Sequence, residues 1–298
     1  MLMKVQRIPR RAVLWNALAM GVAAMLCAQS IGQARPIDHK TTVREGDGDY
    51  VVLVNGLSWF RDTLKPAEKQ LNAHGYHTVH VHYASRKADI GVVVDERIRD
   101  AITEHCTDSN RKIHFVGHSM GGIMIRKYLK SYETLNLGKV ILMATPNQGT
   151  ELAETLKRSI TPIRKVFGKA VEELGTTSNS LPNTLGPPDF EPGIIMGSRS
   201  AFPFLSPFVP GTDDGVVAVE AGKVERMRDF IVTPTNHCNI AREEEVLRQI
   251  AFFFVHGTFD ELPAKWREAC SRNAPALGRK LIARPERRFR FRSGKGAR

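Results

Sequence analysis

The chain has 298 residues, 42% hydrophobic and 25% charged, a globular composition with room for one large α/β domain or two small ones. Its net charge of +12 sits at the ends: residues 1–34 carry four basic side chains and no acid, and residues 271–298 carry ten against one. The stretch between is left at about −1, which argues against a nucleic-acid or membrane-binding role for the body of the chain.

Residues 1–34 read as an export signal. A basic segment from Lys4 to Arg11 precedes an apolar run over 12–27, and small residues follow with cleavage expected after Ser30 or Ala34. The run is shorter than the ~20 residues of a membrane span, so a periplasmic or secreted protein is expected rather than an anchored one. Cys106, Cys238 and Cys270 remain after cleavage. An oxidising compartment permits one disulfide among them, and no Cys-x-x-Cys spacing supports zinc or redox chemistry.

Residues 36–49 are polar and read as an irregular lead-in. The β-branched run YVVLV over 50–54 predicts a buried strand, ending in Asn55-Gly56-Leu57. A helix is expected over 63–73, a strand over 76–83 and a helix over 89–104. The apolar stretch 113–116 then enters Gly117-His118-Ser119-Met120-Gly121-Gly122, which is followed by apolar residues at helical spacing. A strand turning sharply into a helix, with Ser at the apex and Gly on both sides, is a nucleophile elbow. G-x-S-x-G arises by chance in roughly one 300-residue chain in ten, so the strand-and-helix context carries the assignment of Ser119.

Further strands are expected over 139–144, 193–197 and 229–233, with a closing helix over 242–255. Residues 151–192 read as a small cap, amphipathic at first and a loop from Thr176 to Pro188. The apolar loop 202–208 is a packing segment or an acyl-pocket wall. Residues beyond Asn273 are rich in Arg, Gly and Pro and read as a disordered tail, which could touch an envelope surface. This gives a signal over 1–34, one α/β domain over 35–270 and a tail over 271–298. Strands alternating with helices imply a doubly wound, mostly parallel sheet, with its ligand site off the carboxyl ends of the strands.

A serine nucleophile needs a base, and the base needs an orienting acid. With an elbow these follow in the order Ser, acid, His, on loops after late strands. Only His237 and His256 follow the elbow. His237 sits just past the strand 229–233, whereas His256 lies at the far end of the closing helix. The acid is expected in Gly211-Thr212-Asp213-Asp214-Gly215, where adjacent carboxylates face different ways and only one can meet His237. Asp214, directly before Gly215, is favoured, and Asp213 is then a turn-capping residue.

These pieces resemble the lipase/esterase branch of the α/β-hydrolase superfamily. The motifs are GHSMGG (117–122), TPNQGT (145–150), DDGVVAVEAG (213–222), NHCNI (236–240) and HYASRKADI (82–90), in consistent order from about residue 50 to 259. The resemblance implies an α/β-hydrolase fold with Ser119 as nucleophile, His237 as base and Asp214 as orienter. It also implies an oxyanion hole from the backbone N–H groups of Met120 and Leu57. Where this family writes His-Gly before that second donor, this chain has Asn55-Gly56. The expected substrate is a small-molecule or lipid ester, with no cofactor, no metal and no specific nucleic acid. An acyltransferase or amidase could use the same triad, and a non-catalytic binding protein could use the same scaffold. His80 and His82 share a strand face and form the one metal-like pair, for which the sequence shows no acid at ligand spacing.

Overall fold

Successive side chains of a strand point to opposite faces, so a strand buried on both sides must be apolar throughout. The chain meets that condition repeatedly. A computed structural model describes residues 41–57, 62–83, 89–157, 168–200 and 209–273. The expected export signal, the loop 202–208, part of the cap and the tail beyond residue 273 lie outside the described residues.

Among the described residues, seven strands form one sheet: β1 (Thr42–Arg44), β2 (Tyr50–Val54), β3 (His77–Val81), β4 (Ile113–His118), β5 (Leu137–Met143), β6 (Gly193–Gly197) and β7 (Asp229–Thr233). Their order is β1-β3-β2-β4-β5-β6-β7. Only β1 runs antiparallel, and β2 to β7 pair in parallel. The expected strands over 50–54, 193–197 and 229–233 are met to the residue.

The helices are α1 (Lys65–Ala73), α2 (Ile90–Val93), α3 (Arg99–His105), α4 (Met120–Ser131), α5 (Glu151–Lys157), α6 (Lys169–Glu172), α7 (Leu181–Thr184), α8 (Glu244–His256) and α9 (Ala264–Asn273). One π-turn, Val94–Ile98, joins α2 to α3 within the single helix expected there.

Two apolar cores lie on the two faces of the sheet. Val52, Val54, Phe115, Val140, Leu142 and Ile194 join the core shared with α2, α3 and α4. Their neighbours Val51, Leu53, Val116, Ile141, Met143 and Ile195 join the core shared with α1 and α8. Each such side chain contributes roughly 1.5–3 kcal/mol on burial, so both faces must stay covered for the central strands to hold.

Several expectations are corrected. Residues 36–49 contain β1, whose register against β3 is Thr42↔His80, Val43↔Val79 and Arg44↔Thr78. A three-residue strand is too short to show alternation, and its pairing is supplied by the open edge of β3. The helix α9 buries only Cys270, whose Sγ–H donates to Val232 O at 3.2 Å, so it has almost no apolar stripe to read. No disulfide joins Cys106, Cys238 and Cys270. In the expected cap, Ala153, Ala170, Val171 and Leu174 pack into the main core, and the expected loop 176–188 contains the one-turn helix α7.

Candidate active site

The elbow forms where β4 runs into α4. Ser119 takes φ 56° and ψ −126°, a conformation that a residue with a Cβ adopts only at a cost of about 1–3 kcal/mol. The surroundings over-determine it. A Cβ on Gly117 would come within 2.6 Å of Gly122 Cα, and one on Gly121 within 2.1 Å of Val54 O. The Ser119 N–H donates to Met143 O at 2.8 Å, tying the apex to β5. Ser119 thus stands at the N-terminus of a twelve-residue helix, whose dipole favours negative charge there.

The loops after β6 and β7 meet this apex. Gly197 ends β6, and its missing side chain leaves room for Thr235 O at 2.5 Å and Asp214 Cβ at 2.9 Å from where a Cβ would stand. The two loops are laced together, with the His237 N–H donating to Asp214 O at 3.0 Å. His237 Nε2 lies 2.9 Å from Ser119 Oγ, and His237 Nδ1 lies 2.8 Å from Asp214 Oδ2. The other carboxylate oxygen, Asp214 Oδ1, accepts the N–H groups of Val216 at 3.0 Å and Val217 at 2.8 Å. Asp214 is fully buried and His237 is 2% exposed, so water competes little for these bonds. The carboxylate accepts the Nδ1 proton, which leaves Nε2 as the bare nitrogen facing the serine hydroxyl.

Asp213 does not join this group. Its Oδ1 accepts the Gly215 N–H at 2.7 Å, a turn-capping bond. His256 ends α8, where its ring centroid lies 4.1 Å from that of Phe252. Gly56 presses against Ser119, since a Cβ there would lie 2.8 Å from Ser119 Cβ. That contact brings the next residue, Leu57, beside the serine, and Met120 follows the serine directly as the first residue of α4. All five residues singled out in the sequence therefore gather at the carboxyl ends of β2, β4, β6 and β7.

His80 and His82 do share a face, with ring centroids 4.3 Å apart. Each has an acidic partner after all, Glu68 at 3.1 Å from His80 Nδ1 and Asp62 at 3.4 Å from His82 Nδ1, both brought by the α1 region rather than by the strand. Both rings are used in hydrogen bonds, His80 Nε2 to Asn55 Nδ2 at 2.7 Å and His82 Nε2 to Thr42 Oγ1 at 3.1 Å.

Two residues went unread in the sequence. His118 is fully buried, with Nε2 3.0 Å from the His237 carbonyl. Burial, and then the nearness of His237, push its pKa down to about 3, so the ring is neutral at ordinary pH. A carbonyl only accepts, so the proton sits on Nε2. Its signal was the imidazole inside an otherwise apolar strand end, a group that must find a partner when buried. Arg126 of α4 is 3% exposed, and burial lowers its pKa to about 10. It donates to Asn147 O at 3.0 Å and Gly186 O at 2.7 Å, clamping the TPNQGT loop and the end of α7 to the elbow helix.

A mostly parallel sheet, a serine at a strand-to-helix elbow and an acid and histidine on later loops define the α/β-hydrolase class. The chain belongs to the alpha/beta hydrolase family, whose profile matches residues 51–292. No curated protein sequence matches it. Among solved structures it is similar to the mature Bacillus licheniformis lipase BlEst2, with TM-score 0.54 and 18% identity over 73% of this chain and 98% of that one. The Legionella pneumophila phospholipase PlaB aligns with TM-score 0.52 and 17% identity over 77% of this chain and 63% of that one. The α/β hydrolase MGS-MChE2, from a lagoon-sediment metagenome, aligns with TM-score 0.51 and 12% identity over 76% of this chain and 99% of that one. At these identities the likeness is one of fold.

Proposed function

We propose that this chain is a serine hydrolase cleaving carboxylic esters through an acyl-enzyme. Ser119 Oγ adds to the ester carbonyl carbon while His237 Nε2 takes the hydroxyl proton. Asp214 keeps the ring in the Nδ1–H form and stabilises the imidazolium as it forms. The tetrahedral oxyanion sits against the Leu57 and Met120 N–H groups, at the positive end of α4. Its collapse expels the alcohol, which takes the proton from His237. Water, deprotonated by the same nitrogen, then frees the acid. The route calls on no cofactor.

One observation carries this reading: the unbroken contact from Ser119 Oγ through the His237 ring to Asp214, with steps of 2.9 and 2.8 Å. A panel of p-nitrophenyl esters with increasing acyl length tests it, using Ser119→Ala as the control. Loss of turnover in that variant is expected, and hydrolysis that survives it overturns the mechanism. The substrate class proposed is a small-molecule or lipid ester. Export is proposed from residues 1–34 alone, and sequencing the N-terminus of the periplasmic or secreted protein checks it. Among the described residues no helix is long and apolar enough to cross a membrane.

A further inference from the structure

The loop carrying Leu57 is held by groups that the mechanism above does not use. Tyr83 is 4% exposed, and its one hydroxyl proton is shared between two carbonyls of that loop, Asn55 O at 2.6 Å and Gly56 O at 2.8 Å. The Gly56 carbonyl and the Leu57 N–H belong to one peptide unit. That unit is planar and trans, so its N–H points opposite to its C=O. Pinning the oxygen from one side therefore aims the N–H toward the other. Burial raises the Tyr83 pKa well above that of an ordinary phenol, so the hydroxyl keeps the proton it donates.

The Asn55 side chain holds the same loop from a second direction. Its Oδ1 accepts Thr63 Oγ1–H at 2.9 Å and the Leu64 N–H at 3.2 Å. A backbone N–H can only donate, so the amide oxygen must face Leu64 and the amide nitrogen must face His80 Nε2, 2.7 Å away. His80 Nε2 is then the bare, accepting nitrogen, and the ring proton sits on Nδ1, 3.1 Å from Glu68 Oε2. Glu68 in turn receives Arg44 Nε–H at 2.5 Å.

We propose that Tyr83 and Asn55 are positioning residues for the oxyanion donor. The Tyr83 hydroxyl aims the Leu57 N–H at the oxygen that becomes negative when Ser119 attacks, and Asn55, seated on His80, keeps the loop in place. The proposal rests on the ester-hydrolase reading of Ser119. It differs from plain structural support because it concerns the transition state, in which that N–H strengthens its bond, more than the bound substrate.

The test begins with Tyr83→Phe, which deletes one hydroxyl and keeps the ring. On a p-nitrophenyl ester kcat should fall about 10- to 100-fold with KM within about 3-fold, below the full loss expected on removing a donor. Affinity for an alkyl boronic acid, which becomes tetrahedral on a serine, should fall in parallel. Tyr132→Phe deletes another hydroxyl bond, to Asp95 on the surface, and should leave both unchanged. His80→Gln retains an acceptor near the Nε2 position and should keep most of kcat, whereas His80→Leu should lose it. An unchanged kcat in Tyr83→Phe with only a lower Tm, or equal losses in the two His80 variants, overturns the proposal.

Amide NMR separates this from the ester reading. The Leu57 resonance should shift and exchange faster in Tyr83→Phe, while that of buried Leu71 should not. If the wild type hydrolyses no ester yet Leu57 responds, the ester reading fails and the aiming of the amide stands. An unmoved Leu57 amide overturns the aiming itself.

Discussion

His118 Nε2 lies 3.0 Å from the backbone carbonyl of His237, so the residue before Ser119 grips the residue whose ring faces Ser119. The elbow and the His237 loop are 119 residues apart in the chain, and this bond closes them against each other independently of the contact between Ser119 and His237. Burial, rather than this bond, requires His118 to stay neutral in the folded protein, since the carbonyl contact by itself favours the charged donor.

That requirement makes stability depend on pH. The folded His118 titrates near 3, against 6.5 for an ordinary histidine, chiefly because of burial. Between those values the unfolded chain binds the extra proton, so stability is full above about pH 6.5 and declines as pH falls toward 3. The slope from this one group approaches ~1.4 kcal/mol per pH unit. His77 and His114, also lowered chiefly by burial, act in the same direction. His118→Gln can still donate to the His237 carbonyl but does not titrate, so urea unfolding across pH 4–7 should show a shallower decline for that variant. Parallel curves would sink the assignment.

Asp214 and Asp213 differ in what their carboxylates hold, one the His237 ring and the other a turn. Asp214→Asn presents an amide to His237 Nδ1 and should lower kcat on the order of 10³- to 10⁴-fold. Asp213→Asn keeps an oxygen for the Gly215 N–H and should change kcat little. Steady-state kinetics on one p-nitrophenyl ester decides, and the opposite ranking would exchange their roles.

Gly121 has no space for even one carbon, since its Cβ would stand 2.1 Å from Val54 O. Neither group is the movable end of a side chain, so β2 and α4 would have to part. Gly121→Ala should cost at least the ~1–3 kcal/mol of an overpacked core and should disturb the elbow. Urea unfolding reads the first effect, and the rate of Ser119 labelling by a fluorophosphonate reads the second. A stable, normally labelled variant would refute the close-approach argument.

The chain's net positive charge lies outside the near-neutral body. A chain ending after Asn273 keeps α9 with its Cys270 contact and should retain kcat and KM on soluble esters. Loss of activity on that truncation would make the tail part of the working fold.

Strands β2 to β7, the elbow and the order serine, acid, histidine could all be read from residue types alone. Alternation, β-branched runs and paired glycines are local constraints, and a site placed on loops after strands inherits its order from them. What lay beyond reach depends on residues far apart in the chain. β1 exists because β3 has an open edge, and α9 because Cys270 finds Val232. The spacing of acids around His80 and His82 showed nothing, because Glu68 and Asp62 arrive from the α1 region. Between Asp214 and Asp213 the sequence offered a preference, and the fold set the Asp214 carboxylate 2.8 Å from His237 Nδ1. In the same way Asn55 looked like a neutral replacement in a main-chain motif, and only the packed structure gave its side chain partners in Thr63, Leu64 and His80. Local patterns determine which chemistry the chain carries. Long-range hydrogen bonds, which no spacing rule encodes, decide which side chains hold that chemistry in place.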